Sequence, residues 1–189
     1  MALLLESERL VLRPYELKDV PDVQRLANNK ALADTTFLPY PYTLEAAENW
    51  IETHPKLIEE REVFPFAVIL KGEAKLIGTM TLRIDQQHHK GELAYWIGQD
   101  YWGGGYATEA AKLVIHFGFQ ELQLNRIWAP IMSRNNASRG VLQKAGLTYE
   151  GTLKQDILRW DRYEDVDVFG LLKADYEQNN KGIGGYEND

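Results

Sequence analysis

The sequence contains no cysteine. Disulfide frameworks and thiolate metal sites are therefore excluded, and the cytoplasm is the expected location. Long apolar runs are missing as well. No stretch approaches the roughly 20 residues needed to cross a bilayer, so no membrane association is expected. The opening Met1-Ala2-Leu3-Leu4-Leu5-Glu6 has neither a basic leader nor an apolar core long enough for a signal peptide. Basic residues are in deficit: 21 Lys and Arg stand against 28 Asp and Glu, a net charge of −7. That balance argues against a nucleic-acid-binding surface; it fits either attraction of a cationic partner or plain solubility. The four histidines, His54, His88, His89 and His116, show no ligand spacing, so no metal is expected. Internal repeats and low-complexity segments are also lacking.

What remains is an ordinary globular composition. The 189 residues are 44% apolar and 26% charged, enough for one domain with a full core. The domain is expected to cover residues 1–178. Residues 179–189 are polar and glycine-rich and are expected to form a flexible tail.

Periodicity divides the chain coarsely. Residues 8–14 alternate as a strand that Pro14 ends or places at an edge. Residues 17–29 have helical spacing, with Pro21 tolerated in the first turn. An aromatic, proline-rich loop covers 37–42. Thr43 can cap a helix running to about residue 61, kinked or split at Pro55. Residues 64–70 and 75–84 predict a hairpin, and 91–98 a strand. A helix is predicted over 108–122, a strand over 125–132, and a short helix over 137–145 closed by Gly146. Strands over 147–158 and 163–172 form a final hairpin, followed by a short helix over 173–178. This order implies a mixed α/β sheet with helices on both faces.

The stretch that organises the rest is Trp102-Gly103-Gly104-Gly105-Tyr106-Ala107-Thr108-Glu109-Ala110. Adjacent glycines let a backbone take unusual dihedrals and bring its N–H groups against a ligand. The helix start behind them adds unpaired N–H groups and the positive end of its dipole. Together these suit a phosphate or pyrophosphate, although a glycine-rich turn can also be only a loop. A Walker loop would need Gly-Lys-Ser/Thr where Gly105-Tyr106-Ala107 stands. A dinucleotide fingerprint would need a third small residue where Thr108 stands, and an acidic residue at the end of the next strand, which instead closes on Met132-Ser133-Arg134. Coenzyme A, through its pyrophosphate, is the remaining option.

At these residues the chain resembles the GNAT superfamily of N-acetyltransferases, in the branch of the RimJ and RimL ribosomal-protein N-terminal acetyltransferases. The resemblance runs from Glu8-Arg9-Leu10-Val11-Leu12-Arg13 to about Tyr176. It rests on Glu92-Leu93-Ala94-Tyr95-Trp96-Ile97, on the glycine loop, and on Asn135-Asn136-Ala137-Ser138 with Lys144-Ala145-Gly146-Leu147. Trp102 departs from the Gln or Arg that opens the family's general phosphate motif. The fold implied is GNAT-type: a mixed, mostly antiparallel central sheet, helices on both faces, and a strand pair splayed at the acetyl-CoA site.

The resemblance also implies roles. Acetyl-CoA would be the cosubstrate, its pyrophosphate held by Gly103, Gly104, Gly105, Tyr106, Ala107 and Thr108. Its pantetheine arm would pair with the freed strand and with Asn135, and Ile97 would offer its N–H to the acetyl oxygen. Glu92 would act on the amine, directly or through water; otherwise it is a solvent-facing carboxylate. Ser138 would protonate the departing thiolate; otherwise it is a helix-capping hydroxyl. Asp165 and Asp167 are expected to be structural. The implied acceptor is a primary amine, with a ribosomal protein N-terminus as the leading reading. A polyamine or another small amine is the alternative, and a coenzyme-A-binding module without catalysis is a third. The branch suggests a homodimer.

Overall fold

The computed structural model describes residues 3–181. Its eight strands are β1 (Leu5–Glu6), β2 (Leu10–Arg13), β3 (Val63–Leu70), β4 (Lys75–Asp85), β5 (Lys90–Ile97), β6 (Arg126–Met132), β7 (Thr148–Arg159) and β8 (Arg162–Leu172). They form one sheet in the order β1-β2-β3-β4-β5-β6-β8-β7, antiparallel except where β5 meets β6. The helices are α1 (Val20–Ala27), α2 (Lys30–Ala33), α3 (Leu44–Glu52), α4 (His54–Glu59), α5 (Tyr106–Gln120), α6 (Asn136–Lys144) and α7 (Lys173–Lys181).

Alternation along β4 and β5 splits the core between two faces. Met80, Leu82, Leu93 and Ile97 point to one side and pack with Ala110, Ala111 and Val114 of α5. The small face of α5 lets it lie close to the sheet. At Gly118 even a Cβ would come within 2.8 Å of Ile127. On the other side, Trp96 packs with Tyr15, Val23, Leu26, Ala47 and Ile51 from the α1–α3 layer. Helices therefore cover both faces, and the sheet edge between β5 and β6 lies between them.

Several boundaries differ from the sequence reading. Residues 17–29 divide into a 3-10 turn and α1, and Lys30–Ala33 adds the four-residue α2, whose cap is the Asn29 side chain. The long helix expected after Thr43 is two, broken at Thr53 with Pro55 in the first turn of α4, where its missing N–H costs nothing. Thr43 does cap α3, accepting from the Ala46 N–H. Asn179 to Lys181, expected in the flexible tail, continue α7. The rest of the expected tail lies outside the described residues. Among the described residues no helix is long and apolar enough to cross a membrane.

Candidate active site

The β5–β6 pair is hydrogen-bonded only at its start, through Lys90–Arg126, Gly91–Ile127 and Glu92–Trp128. Hydrogen-bond parity explains what happens next. The Gly98 N–H donates to the Ile77 carbonyl at 2.8 Å, which makes Gly98 and Ile77 a bonded pair of the β4–β5 ladder. Bonded pairs alternate with unbonded ones, so Tyr95 and Ile97 turn their backbone groups away from β4 and toward β6. On β6, Ser133 N–H donates to Asp165 O at 2.9 Å, and the same alternation turns the Pro130 nitrogen toward β5. Proline carries no N–H, so the rung that would follow Trp128 has no donor. Beyond it β6 remains with β8 through Met132, while β5 has no partner on that side among the described residues. The N–H groups of Tyr95 and Ile97 thus face an open wedge, as required of Ile97.

The glycine loop closes one end of that wedge. Gly103 and Gly105 sit at φ +78° and +77°, left-handed conformations that an L side chain rarely adopts. Gly105 is the N-cap of α5 and brings no side chain to it. The first intrahelical bond runs from Glu109 N–H to Gly105 O, so the N–H groups of Tyr106, Ala107 and Thr108 stand ahead of the ladder. These donors stand at the positive end of a 15-residue helix, a setting that suits an anion such as a phosphate. Trp102, the departure from the family motif, uses its only donor: Nε1–H bonds the Ile97 carbonyl at 2.7 Å. That occupies the wedge-facing carbonyl of Ile97 and leaves its N–H available.

Sequence reasoning missed the brace under this loop. Arg9 of the β1–β2 turn donates Nη1–H to the Gly104 carbonyl at 2.9 Å and lies 4.6 Å from the Tyr106 ring centroid. It is held in turn by Glu109, which also accepts from Ser7 Oγ at 2.6 Å. Burial pushes the Glu109 carboxyl up, but the bonds from Ser7 and Arg9 outweigh it and hold the group below the usual range. The pair is 100 residues apart in sequence, and no local signal marks it.

Across the wedge stands α6. Asn135 is its N-cap: Oδ1 accepts from the Ser138 N–H at 3.0 Å, while Nδ2 donates to the Thr35 carbonyl at 3.2 Å. The Asn135 side chain is thus used within the protein. The Ser138 hydroxyl, in contrast, makes no hydrogen bond among the described residues, so the capping alternative for Ser138 falls to Asn135. Tyr95 Oη–H reaches the Ser138 carbonyl at 3.3 Å and ties the first turn of α6 to β5. Burial pushes the Tyr95 hydroxyl up to about 12, so it remains a donor at neutral pH. Behind α6, Asp167 is buried and gathers Ser133 Oγ, Thr152 Oγ1 and Arg139, the structural role expected of it.

Glu92 stands elsewhere. Five residues of extended chain separate it from Ile97, about 16 Å along β5. Its carboxylate pairs with Arg83, directly opposite on β4, at 2.7 Å. Between these two points, on the α3 side of the sheet, opens a cavity of about 320 Å³. Thr79, Thr81, Ala94 and Trp96 form its floor, Trp50 and Tyr42 its walls, and Leu38 and Pro39 its lid. Arg159, at the tip of the β7–β8 hairpin, donates to the carbonyls of Ala33 and Leu38 at 2.6 Å each and fixes that lid.

A wedge of free strand donors beside an uncapped glycine-loop helix is the arrangement expected of an acetyltransferase. The family described as acetyltransferase (GNAT) domain matches residues 9–148. The chain belongs to the GNAT acetyltransferase family. Similar to this acetyltransferase is an uncharacterized N-acetyltransferase, p20, of Bacillus licheniformis. It is 32% identical over 182 residues, covering 91% of this chain and 97% of the relative. The spermidine N(1)-acetyltransferase of Escherichia coli K12 is 27% identical over 173 residues, 92% of this chain and 91% of the relative. The crystal structure of a ribosomal-protein-S5-alanine acetyltransferase from Vibrio fischeri matches with a TM-score of 0.82 at 25% identity, covering 92% of this chain and 98% of that one. The GNAT sheet, mostly antiparallel with helices on both faces, is shared with such neighbours.

Proposed function

We propose that this acetyltransferase moves the acetyl group of acetyl-CoA to the α-amine of a peptide or protein N-terminus. The cosubstrate supplies an activated thioester. The backbone N–H groups of Tyr106, Ala107 and Thr108, with the loop Gly103 to Gly105, would hold its pyrophosphate. The freed backbone at Tyr95 would pair with the extended pantetheine arm, and the Ile97 N–H would stabilise the oxygen that gains charge. The uncommitted Ser138 hydroxyl would hold a proton at the start of α6 for the departing thiolate. Asn135 would serve by fixing that turn, and any contact of its own with the arm would use the remaining lone pair of Oδ1. Glu92, held by Arg83, would act on the arriving ammonium by its field, since it stands too far along β5 for direct transfer or for one bridging water.

Relatives name both ribosomal-protein and spermidine acceptors, at comparable identity. The lining of the cavity favours the first. Among the described residues its lining includes no carboxylate, and its single charged side chain is the cation of Arg83. A polyamine brings further ammonium groups, and burying one without a counter-ion is costly. An N-terminal α-amine brings one positive charge with a reference pKa of about 7.7–8.0, so much of it is already neutral near pH 7. Turnover of acetyl-CoA with N-terminal peptides and with spermidine, measured in parallel, tests the reading. Peptides should be acetylated with the higher kcat/KM; efficient acetylation of spermidine with none of peptides overturns it.

A further inference from the structure

The cavity has a direction as well as a composition. Its Thr79 end lies opposite Trp96, beside the Ile97 N–H where the acetyl group would sit. Its other end carries Arg83, four residues further along β4 and about 13 Å away. The Arg83 guanidinium does not swing freely between the two ends. Its Nη1 is pinned at 2.7 Å by Glu92, the residue directly opposite in the ladder. That bond uses one of the five N–H donors of an arginine, and half of the side chain remains exposed at 53%. The remaining donors present a planar fork suited to a carboxylate.

Resting on the α-amine reading above, we propose that Arg83 selects acceptors bearing a carboxylate about three residues from the reacting amine. Extended chain advances about 3.3–3.6 Å per residue. With its first nitrogen at the Ile97 end, a peptide lying along β4 and β5 places its third residue within side-chain reach of Arg83. Residues one and three of an extended chain also share a face, so both can turn into the cavity. A free amino acid, whose amine and carboxylate are only a few ångströms apart, cannot bridge the two points. A lysine at the third position would bring its ammonium against the guanidinium.

The test uses the full chain with acetyl-CoA and hexapeptides of identical sequence except at residue three, which is Glu, Gln or Lys. A fourth peptide carries the Glu at residue six. A neutral tripeptide is supplied both as the free acid and as the amide, separating a terminal carboxylate from a side-chain one. The expected order of kcat/KM is Glu over Gln over Lys, with roughly tenfold between the extremes, the scale of one charge-assisted hydrogen bond. The free-acid tripeptide should outperform its amide, and Glu at residue six should behave as Gln at residue three. In Arg83→Gln the preference for Glu should be lost and the freed Glu92 carboxylate should turn the order toward Lys, while Arg83→Lys should keep part of the preference for Glu. A structural role for Arg83 would instead lower all peptides by the same factor. Because the side chain is half exposed, folding of the variants is checked by their melting curves. Equal turnover of the Glu, Gln and Lys peptides by the parent enzyme overturns the Arg83 proposal and leaves the α-amine reading standing. Turnover of spermidine with no peptide acetylated removes both.

Discussion

Ser138 and Asn135 stand three residues apart at the start of α6, and the geometry assigns them opposite kinds of work. Asn135 holds two hydrogen bonds, to the Ser138 N–H and to the Thr35 carbonyl. Losing an N-cap costs about 1 kcal/mol, and the second bond adds about 0.5–1.5 kcal/mol. Asn135→Ala should therefore lose roughly 2 kcal/mol. For a chain of this size 1 kcal/mol shifts Tm by about 2–4 °C, so the melting point should fall by roughly 4–8 °C. Ser138→Ala breaks no side-chain bond among the described residues, and alanine suits a helix at least as well as serine. Its Tm should stay within about 2 °C of the parent. If its hydroxyl delivers the proton to the thiolate, kcat should drop more than roughly tenfold, at or below the low end of the 10²–10⁴ range for a general acid. The assay is thiol release at saturating acetyl-CoA, normalised to folded protein, beside thermal melts of both variants. A Ser138→Ala enzyme with parental kcat refutes the assignment and passes proton delivery to water or to another hydroxyl.

Three further outcomes follow from the same geometry. Gly104→Glu sets a carboxylate in the loop, and even its Cβ would meet the Tyr106 ring at 2.5 Å; acetyl-CoA affinity by calorimetry should be lost while the far-ultraviolet circular dichroism is retained. Glu92→Gln should lower turnover at pH 7 with coenzyme affinity intact, and the defect should shrink as pH rises through the α-amine pKa of about 7.7–8.0; parental turnover at every pH would falsify any role for Glu92 in handling the amine. His54 is buried between Tyr15 and Trp50, both ring nitrogens are without a partner among the described residues, and burial lowers its pKa from 6.5 to about 4. Because the unfolded chain takes up that proton first, His54 costs no stability above about pH 6.5 and progressively more as pH falls toward 4, of order 3 kcal/mol at the end. His54→Leu should lose less stability than the parent between pH 7 and pH 4.5 in urea titrations, and parallel curves would contradict the assignment.

The parts legible in the sequence were those written locally. Three glycines, a helix of small residues behind them and a proline at 55 each announce themselves within one turn or strand, and the structure returns each in place. The four residues of α2 are too few to show a period, so the sequence reading closed its helix at residue 29 and missed them. Arg9 and Glu109 could not be joined from sequence, because nothing short of the fold brings residues 100 apart into an ion pair. Glu92 illustrates a subtler loss. Its acidic character and its strand were readable. Its partner was not, since Arg83 becomes a neighbour only once the register of β4 on β5 is fixed. A register one residue different would have turned Arg83 to the α5 face and left the cavity without a charge.

That dependence on register runs through the whole site. Whether Ile97 can bind anything is decided by parity: one bond, Gly98 to Ile77, determines that its N–H faces β6 rather than β4. Whether that N–H is free is decided by β6, which keeps β8 along its full length and releases β5 after Trp128, where Pro130 offers no donor. The carbonyl of the same residue would otherwise be a second unpaired group at the wedge, and burying it under a ligand would be unfavourable. Trp102 removes that problem by donating to it, and in doing so fastens the phosphate loop to the strand that would hold the acetyl group. The tryptophan that looks like a departure from the family motif therefore ties the glycine loop to β5. A glutamine or arginine at this position would have more rotatable bonds to fix in reaching the same carbonyl, at a greater cost in ordering.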